Sequence, residues 1–165
     1  MNIFVLDLNP LAAARYHTDR HVVKMILESA QMLSTAHRIL DPDCDGWHDR
    51  VGLYQSAYAN HPCTVWARQG SGNYTWLYRL FHSLCDEYTH RYGKVHASSK
   101  LLAPLWQIPL ALRGGPNPFR TEFAQAMPDH FKHPDAVQAY QAYYRHAKSH
   151  LHKWTGRPVP SWIAN

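Results

Sequence analysis

The chain has 165 residues, of which 45% are hydrophobic and only 18% are charged, and it includes six tryptophans and ten tyrosines. This composition excludes an intrinsically disordered protein, and the length fits one domain with one hydrophobic core. The net charge of +5, to which thirteen histidines add in mild acid, favours an anionic partner. We therefore expect a single domain spanning residues 1–165 with one functional site.

The cysteines and the first residues argue against secretion. Cys44, Cys63 and Cys85 are odd in number and lack CxxC spacing, so neither a disulfide framework nor a zinc ribbon is predicted. The N-terminal stretch has no basic region and an apolar run of only four residues, so we expect neither a signal peptide nor a membrane span. A cytoplasmic protein without a cofactor is expected, and the sequence leaves its oligomeric state open.

Prolines, glycines and capping residues divide the chain into elements. Residues 2–8 are predicted to form a short β-strand, and Pro10 is placed to begin a helix over residues 11–16. Thr18 or Asp19 can cap a long helix that ends at Leu40, before Asp41-Pro42. Further helical segments are predicted at 51–58 (one turn), 64–68, 73–92, 98–106 and 135–153. The predicted fold class is all-α, a compact single-domain helical bundle with one short N-terminal strand.

The long helix, Asp19 to Leu40, carries a narrow stripe of polar side chains on an otherwise apolar surface. At 100° per residue the stripe covers about a quarter of the circumference. Its members are His21, Lys24, Glu28, Gln31 and Thr35. A surface helix would show a broad polar face, so we expect this helix to be buried with its stripe facing an internal cleft.

Lys24 and Glu28 are four residues apart and therefore adjacent on this helix. A desolvated lysine is a candidate amine nucleophile, a glutamate beside it can act as acid, base or electrostatic stabiliser, and His21 adds a titratable group one turn earlier. We assign the catalytic role to Glu28, Lys24 and His21. The alternative is a structural ion pair that anchors the helix in the core.

Two other combinations of residues are weaker candidates for chemistry. His17, Asp19 and His21 lie close together, and histidines four apart on a helix can bind a metal, but no HExxH motif occurs and histidine is abundant. We assign no metal site. A catalytic pair of Cys63 and His61 would need a geometry that the sequence does not show, so Cys63 is assigned to the core.

The C-terminal segment, residues 131–165, mixes basic residues with tyrosine and tryptophan. Asp135 is its one acidic residue, against the basic residues Lys132, Arg145, Lys148, Lys153 and Arg157. Such mixing suits phosphate contact and base stacking, although a solvated helix face with its aromatics in the core is equally consistent. The helix end near Gly93 is likewise either a phosphate site or an ion pair of Glu87 with Arg91. We assign DNA contact to His17, Gln31, Arg91, Lys94, Arg145, Lys148 and Lys153.

Three blocks of the chain resemble a small family of phage and bacterial proteins: YHTDRHVVKMILESAQMLSTAH, NYTWLYRLFHSLCDEYTHRYGK and AMPDHFKHPDAVQAYQAYYRHAK. More distantly, the chain resembles pyrimidine-dimer DNA glycosylases of the phage endonuclease V type. The matches are Asp19-x-His21 followed by Glu28, an Arg-Tyr-Gly helix end at 91–93, and the segment around Tyr143-Tyr144. This resemblance implies a small all-α enzyme that binds damaged DNA, flips a base and cleaves the glycosidic bond, with Glu28 as its catalytic glutamate.

The first residues depart from that family. Its nucleophile is the amine of an N-terminal threonine, whereas Asn2 stands here, and its bulk is expected to leave Met1 in place. Leu27 and Gln31 also replace arginines of the family. Either Lys24 supplies the amine or the scaffold performs other chemistry on DNA. We expect a glycosylase or abasic-site lyase acting on a pyrimidine nucleotide; the alternatives are a phage-type transferase that modifies a thymine and a non-catalytic nucleic-acid-binding protein.

Overall fold

The computed structural model describes residues 1–115 and 117–164, and within these ranges the protein is helical, as predicted. The α-helices of these ranges are α1 (Pro10–Tyr16), α2 (Asp19–Leu40), α3 (Trp47–Arg50), α4 (Pro62–Ala67), α5 (Ser71–Tyr92), α6 (Leu102–Leu105) and α7 (Ala136–Ala147). Short 3-10 turns occur at Ala97–Leu101, Leu110–Leu112, Asp129–Phe131, Ser149–Leu151 and Ser161–Ile163. The two long helices, α2 and α5, pack against each other, and α1 and α4 pack against them.

Helix α2 has the predicted bounds, with Thr18 as its N-cap and Asp41 as its C-cap. Pro42 disfavours a helical conformation at Asp41, which explains the end of the helix. The inward surface of α2 is fully buried in the core and consists of Val22, Met25, Ile26, Ala30, Met32, Leu33 and Ala36. Val23 and Leu27, in contrast, are exposed, so α2 has a solvent-facing edge that the sequence did not indicate.

The predicted N-terminal strand is wrong: within the described ranges no residue belongs to a β-sheet. Residues 2–6 are buried, but side chains rather than a neighbouring strand satisfy this segment's backbone groups. Gln141 donates to the Leu6 carbonyl over 3.0 Å, and the Trp76 indole donates to the Leu8 carbonyl over 2.8 Å. A strand needs a partner, and the apolar run is instead a bent segment threaded through the core.

Helix α7 begins where predicted but ends at Ala147, six residues before Lys153. Asp135 caps its first turn by accepting from the backbone of Val137 over 2.8 Å. Beyond Ala147 the chain turns back toward the start of α2, where the Lys153 carbonyl accepts from the Asp19 backbone over 2.9 Å. The Trp154 indole donates to the Tyr16 carbonyl over 2.9 Å. These tertiary contacts, which the sequence pattern does not reveal, end the helix.

Helix α5 ends at Gly93, whose φ of 63° is a left-handed conformation that glycine adopts without strain. At the other end of α5, a side chain at Gly72 would collide with the backbone of Phe119 and Arg120, so the segment around residue 119 packs directly on the helix. No helix in residues 1–115 or 117–164 combines the length and hydrophobicity that a bilayer-crossing segment needs.

Candidate active site

Glu28 lies at the centre of the candidate site and is only 8% exposed. Its Oε2 accepts a hydrogen bond from the Asn2 backbone nitrogen over 3.0 Å and lies 3.7 Å from the terminal amine of Met1. Its Oε1 lies 3.4 Å from the Lys24 ammonium. The carboxylate is therefore surrounded by nitrogen donors, and two of them belong to the first two residues of the chain.

The side chain of Asn2 fixes the position of the N-terminal residues. Its Oδ1 accepts from the backbone nitrogens of Ile3 and Phe4 over 2.8 and 3.1 Å, and its Nδ2 donates to the Ala126 carbonyl over 2.8 Å. Phe4 has a φ of 29°, a conformation that a bulky residue adopts only when its surroundings impose it. These contacts hold the terminal amine against Glu28 rather than leaving it in solvent.

Lys24 does not have the environment that its predicted role requires. Its side chain is 67% exposed and contacts Glu28 from the solvent side. The expectation of a desolvated lysine is therefore wrong, because Lys24 lies on the edge of α2 that also exposes Val23 and Leu27. A solvated ammonium lacks the activation by burial on which its assignment as nucleophile was based.

His21 is buried in an aromatic cluster, two helical turns before Glu28. Its ring stacks on Phe4 with centroids 4.5 Å apart, and its Nδ1 shares a 2.6 Å hydrogen bond with the Tyr144 hydroxyl. Burial lowers the pKa of His21 to about 3, with smaller contributions from repulsion by a protonated His17 and by Lys148. Seven residues of helix span about 10 Å, so His21 lies two turns along α2 from Glu28, and its ring nitrogen pairs with Tyr144 rather than with the carboxylate.

His17 is fully buried, so its side chain has no surface for the predicted contact with DNA. Its ring donates to the Ala13 carbonyl over 2.7 Å, and burial lowers its pKa to about 4. The carboxylate of Asp19 binds Arg91 and Thr155, over 2.9 and 2.7 Å, rather than an imidazole. His17, Asp19 and His21 thus each have separate partners.

Acidification is expected to destabilise the fold through buried histidines, namely His17, His21 and, near the other end of α2, His37, whose pKa burial lowers to about 4. His17 and His21 have folded pKa values of about 4 and about 3, below their ordinary value of 6.5. The unfolded chain therefore binds more protons below pH 6.5, and stability falls as the pH drops toward 4. Chemical denaturation should give a free energy of unfolding smaller at pH 5 than at pH 7, and His17 and His21 together should contribute about 3 kcal/mol of the difference.

The double substitution His17→Gln/His21→Gln should remove about 3 kcal/mol of this dependence and leave the part that buried His37, with a pKa of about 4, contributes. His130→Gln, at an exposed position, should leave the dependence unchanged. Asp19 and Glu87 also have lowered pKa values, but the ordinary values of these carboxyl groups already lie below 5. Their protonation therefore contributes little to the change in stability between pH 5 and pH 7. An unchanged pH dependence in the double variant would contradict the assignment of the effect to His17 and His21.

Arg91 forms a buried ion pair rather than a phosphate site. Its side chain is fully buried and donates to Glu87 over 2.7 Å, to Asp19 over 2.9 Å and to the Arg15 carbonyl over 3.0 Å. No group remains on Arg91 for DNA. Lys94 is exposed and lines a cleft of about 270 Å³ on the outer side of α2, together with Arg20 and two tyrosines of α5, Tyr88 and Tyr92.

The basic residues of the C-terminal segment are exposed or half-buried, whereas several of its aromatic residues lie in the core. Tyr140, Tyr144 and Trp154 are buried and pack in the core. This agrees with the alternative interpretation of the segment, a solvated helix face whose aromatic residues belong to the core. Lys148 lies 4.9 Å from the centroid of the Tyr143 ring, and Lys148 and Lys24 both act electrostatically on His21. Basic groups from α2 and from the end of α7 therefore lie on the same side of the molecule.

The other predicted DNA contacts lie at the surface or partly so. Lys153 is exposed, and Gln31 is half-buried one turn after Glu28 on α2. Arg145 is half-buried, and its Nε donates to the Trp162 carbonyl over 3.0 Å, which leaves its terminal nitrogens for other partners. The structure thus keeps Gln31 beside the site and places Arg145 beside the C-terminal tail.

His61, the N-cap of α4, lies near enough to the terminal amine and to Glu28 to feel both charges, and the sequence did not assign it to this site. Burial lowers the pKa of His61, and the positive terminal amine of Met1 lowers it further. The negative charge of Glu28 acts in the opposite direction. Its Nδ1 accepts from the Cys63 backbone over 3.2 Å, so a neutral ring carries its proton on Nε2. Cys63 itself is fully buried, which raises the pKa of its thiol to about 12 and makes it unreactive.

The segment before His61 adds an exposed aromatic side chain along α2. Thr35, two turns beyond Glu28, accepts from the Ala57 backbone over 3.0 Å, and the Tyr58 carbonyl accepts from the His61 backbone over 2.9 Å. Tyr58 between them is exposed and has a φ of 49°. Its neighbours in sequence are small and polar, so no periodic pattern marked it as part of a site.

The first part of the chain matches a known protein family. No curated protein and no solved structure matches the chain. Residues 1–101, which contain the N-terminal segment, α1, α2, α4 and α5, match the family described as pyrimidine dimer DNA glycosylase. That match covers more than half of the chain and includes Glu28 with both of its N-terminal donors. The protein therefore belongs to the pyrimidine dimer DNA glycosylase family.

Proposed function

We propose that this protein is a DNA glycosylase with abasic-site lyase activity on a pyrimidine lesion, in which the N-terminal amine is the nucleophile and Glu28 stabilises the reacting sugar. One observation carries the proposal: the Met1 amine and the Asn2 nitrogen lie 3.7 and 3.0 Å from the same carboxylate oxygen. An amine held beside a buried carboxylate is what imine-forming cleavage of a glycosidic bond requires.

This arrangement removes the difficulty that Asn2 raised at the sequence level. If Met1 is retained, its own amine faces Glu28. If Met1 is removed, the Asn2 nitrogen, which already donates to Glu28, becomes the primary amine. Either state places a nucleophile at Oε2 of Glu28, so the chemistry needs neither a threonine nor Lys24 as the nucleophile.

The proposed reaction replaces the base at C1′ by an imine with the terminal amine. The amine attacks C1′ of the damaged nucleotide, the bond from C1′ to the base breaks, and the base leaves with the bonding electrons and takes up a proton. The sugar ring then opens to an imine between C1′ and the amine, whose two protons have passed to the base and to O4′. Loss of a C2′ proton to water then forms the C2′–C3′ double bond and expels the 3′-phosphate, which cleaves the strand. The negative charge of Glu28 stabilises the positive charge that develops at C1′ and on the attacking nitrogen.

Basic groups around the carboxylate supply the contacts to DNA in this proposal. Lys24 and Lys148 contact phosphates next to the site, and Lys94 with Arg20 contacts the backbone farther along α2. Gln31, one turn after Glu28, is placed to donate to or accept from a base. His17 and Arg91 are left out, because both side chains are buried and offer DNA no surface.

The proposal is tested by incubating the protein with a duplex that carries a single cyclobutane pyrimidine dimer, in the presence of borohydride. Strand cleavage and a borohydride-stable adduct between protein and DNA are expected. Lys24→Met should still form the adduct, with cleavage reduced because a phosphate contact is lost. Absence of an adduct in folded wild-type protein would exclude the imine route, and a new modified nucleoside without strand cleavage would favour the transferase.

A further inference from the structure

Three connected depressions form a groove along α1, on a face distinct from Glu28. The first has a volume of about 360 Å³ and is lined by Arg15 and Leu11; the second, of about 460 Å³, shares Leu11 with it. The third, of about 390 Å³, shares Pro10 and Arg79 with the second. We call these three depressions the α1 groove.

The α1 groove is positively charged. Arginines from four parts of the chain line it, namely Arg15, Arg79, Arg120 and Arg157, and no aspartate or glutamate lines any of the three depressions. Arg157 is neutralised by Glu87, with contacts of 2.9 to 3.2 Å. Among the described residues, Arg15 and Arg79 have no carboxylate partner. The groove therefore attracts a polyanion.

Two aromatic rings stand exposed at the groove. Trp106 is 68% exposed in the second depression, and Phe119 is 83% exposed in the third. Leu11 and Leu8 line the same depressions and expose further apolar surface beside the rings, and an exposed apolar patch of several residues is typical of a binding surface. Gly72 permits the backbone at Phe119 to lie against α5, which holds that ring at the groove.

We propose that the α1 groove binds single-stranded DNA. Arginines without acidic neighbours contact phosphates, and exposed aromatic rings stack on unpaired bases, whose faces are inaccessible in a duplex. The groove follows α5 from Ser71 to Ser83, a helical length of about 18 Å, which accommodates about three to five nucleotides. The positive charge of the arginines disfavours a basic partner. The exposed rings of Trp106 and Phe119 favour a partner with unpaired bases over one that offers only phosphates.

This groove is separate from the candidate active site. Residues 2–8 connect the two: Asn2 contacts Glu28, and the Leu8 carbonyl accepts from Trp76, which lines the third depression. The inference therefore does not depend on the chemistry proposed at Glu28. The groove offers the enzyme a place to retain an unpaired strand while the Glu28 face contacts duplex DNA.

Fluorescence anisotropy with a labelled oligothymidine of fifteen nucleotides tests the inference, with an undamaged duplex of the same length as the comparison. The wild-type protein should bind the single strand more tightly than the duplex. Trp106→Ala/Phe119→Ala should weaken single-strand binding at least about tenfold, since each stacked base contributes a factor of that order. Arg79→Gln should weaken it and lower the salt dependence by about 0.7 in the logarithmic slope.

A matched control replaces two exposed apolar residues outside the groove, Val95→Ala/Ile39→Ala, and should retain wild-type affinity. Single-strand binding by a wild-type protein that forms no borohydride adduct would refute the chemistry at Glu28 and leave the groove standing, so the two failures are told apart. Wild-type affinity in the Trp106/Phe119 double variant would overturn the inference, as would absence of single-strand binding by the wild-type protein. Equal displacement of the oligothymidine by polyglutamate, or loss of self-association in the variant, would assign the groove to another partner.

Discussion

Glu28→Gln is expected to lower the rate of base excision by about 10²- to 10⁴-fold while the protein remains folded. Glutamine keeps the size of the side chain and can still accept from the Asn2 nitrogen, which now lies 3.0 Å from Oε2. The substitution removes the negative charge next to the terminal amine and to the sugar. Single-turnover excision on duplex DNA with one pyrimidine dimer measures the effect.

Glu122→Gln is the matched control, because Glu122 is an exposed carboxylate outside the site. It should leave excision within twofold of the wild-type rate. A structural role for Glu28 predicts a different pattern, in which Glu28→Gln lowers stability but changes neither DNA affinity nor any reaction. Full excision activity in a folded Glu28→Gln protein would refute the catalytic assignment.

Arg91→Met is expected to lower the free energy of unfolding by about 3–5 kcal/mol, the usual cost of removing one partner from a buried ion pair. The guanidinium bridges Glu87 on α5, Asp19 on α2 and the Arg15 carbonyl on α1. Its loss removes a donor from each of these acceptors, and Glu87 and Asp19 keep only their contacts with Arg157 and Thr155. Urea denaturation at pH 7 measures the change.

Arg79→Met provides the comparison for this stability experiment, since Arg79 is an exposed arginine on the same helix and should change stability by less than about 0.5 kcal/mol. Arg91→Lys should fall between the two, because a lysine keeps the charge but cannot reproduce the three-way donor geometry. If Arg91→Met unfolds at the same urea concentration as the wild-type protein, the ion-pair network does not hold α1, α2 and α5 together.

The sequence predicted the helices well where local signals decide them. Capping residues and Asp41-Pro42 set the bounds of α2, and Gly93 ended α5, because these effects depend on neighbours in the chain. The strand predicted at residues 2–8 is wrong because a strand needs a neighbouring strand as hydrogen-bond partner. No local pattern shows that the side chains of Trp76 and Gln141 bind this backbone instead.

The candidate site was predicted in part. Periodicity selected Glu28, but the apolar character of Val23 and Leu27 made the whole circumference of α2 look buried, and Lys24 was wrongly expected to be desolvated. Burial of His17 was not foreseen either. The terminal amine of Met1 was missed because its approach to Glu28 spans 27 positions and depends on the threaded N-terminal segment.

The two readings of the Arg91 region could not be separated from sequence. An ion pair with Glu87, four residues away, was visible in the helical spacing, but the contact with Asp19 joins residues 72 positions apart. That tertiary contact is what buries the guanidinium and removes it from the surface. The same holds for His61, whose relation to Glu28 is set by the packing of α4 against α2.

Mass spectrometry of the borohydride-reduced adduct tests the central claim most directly. After nuclease and protease digestion, the residual sugar should be attached to the α-nitrogen of the N-terminal peptide, on Met1 or on Asn2, and the same spectrum identifies which of them begins the mature chain. Lys24→Met should give the same modified peptide. Attachment of the sugar to Lys24 or to any other side chain would contradict the account.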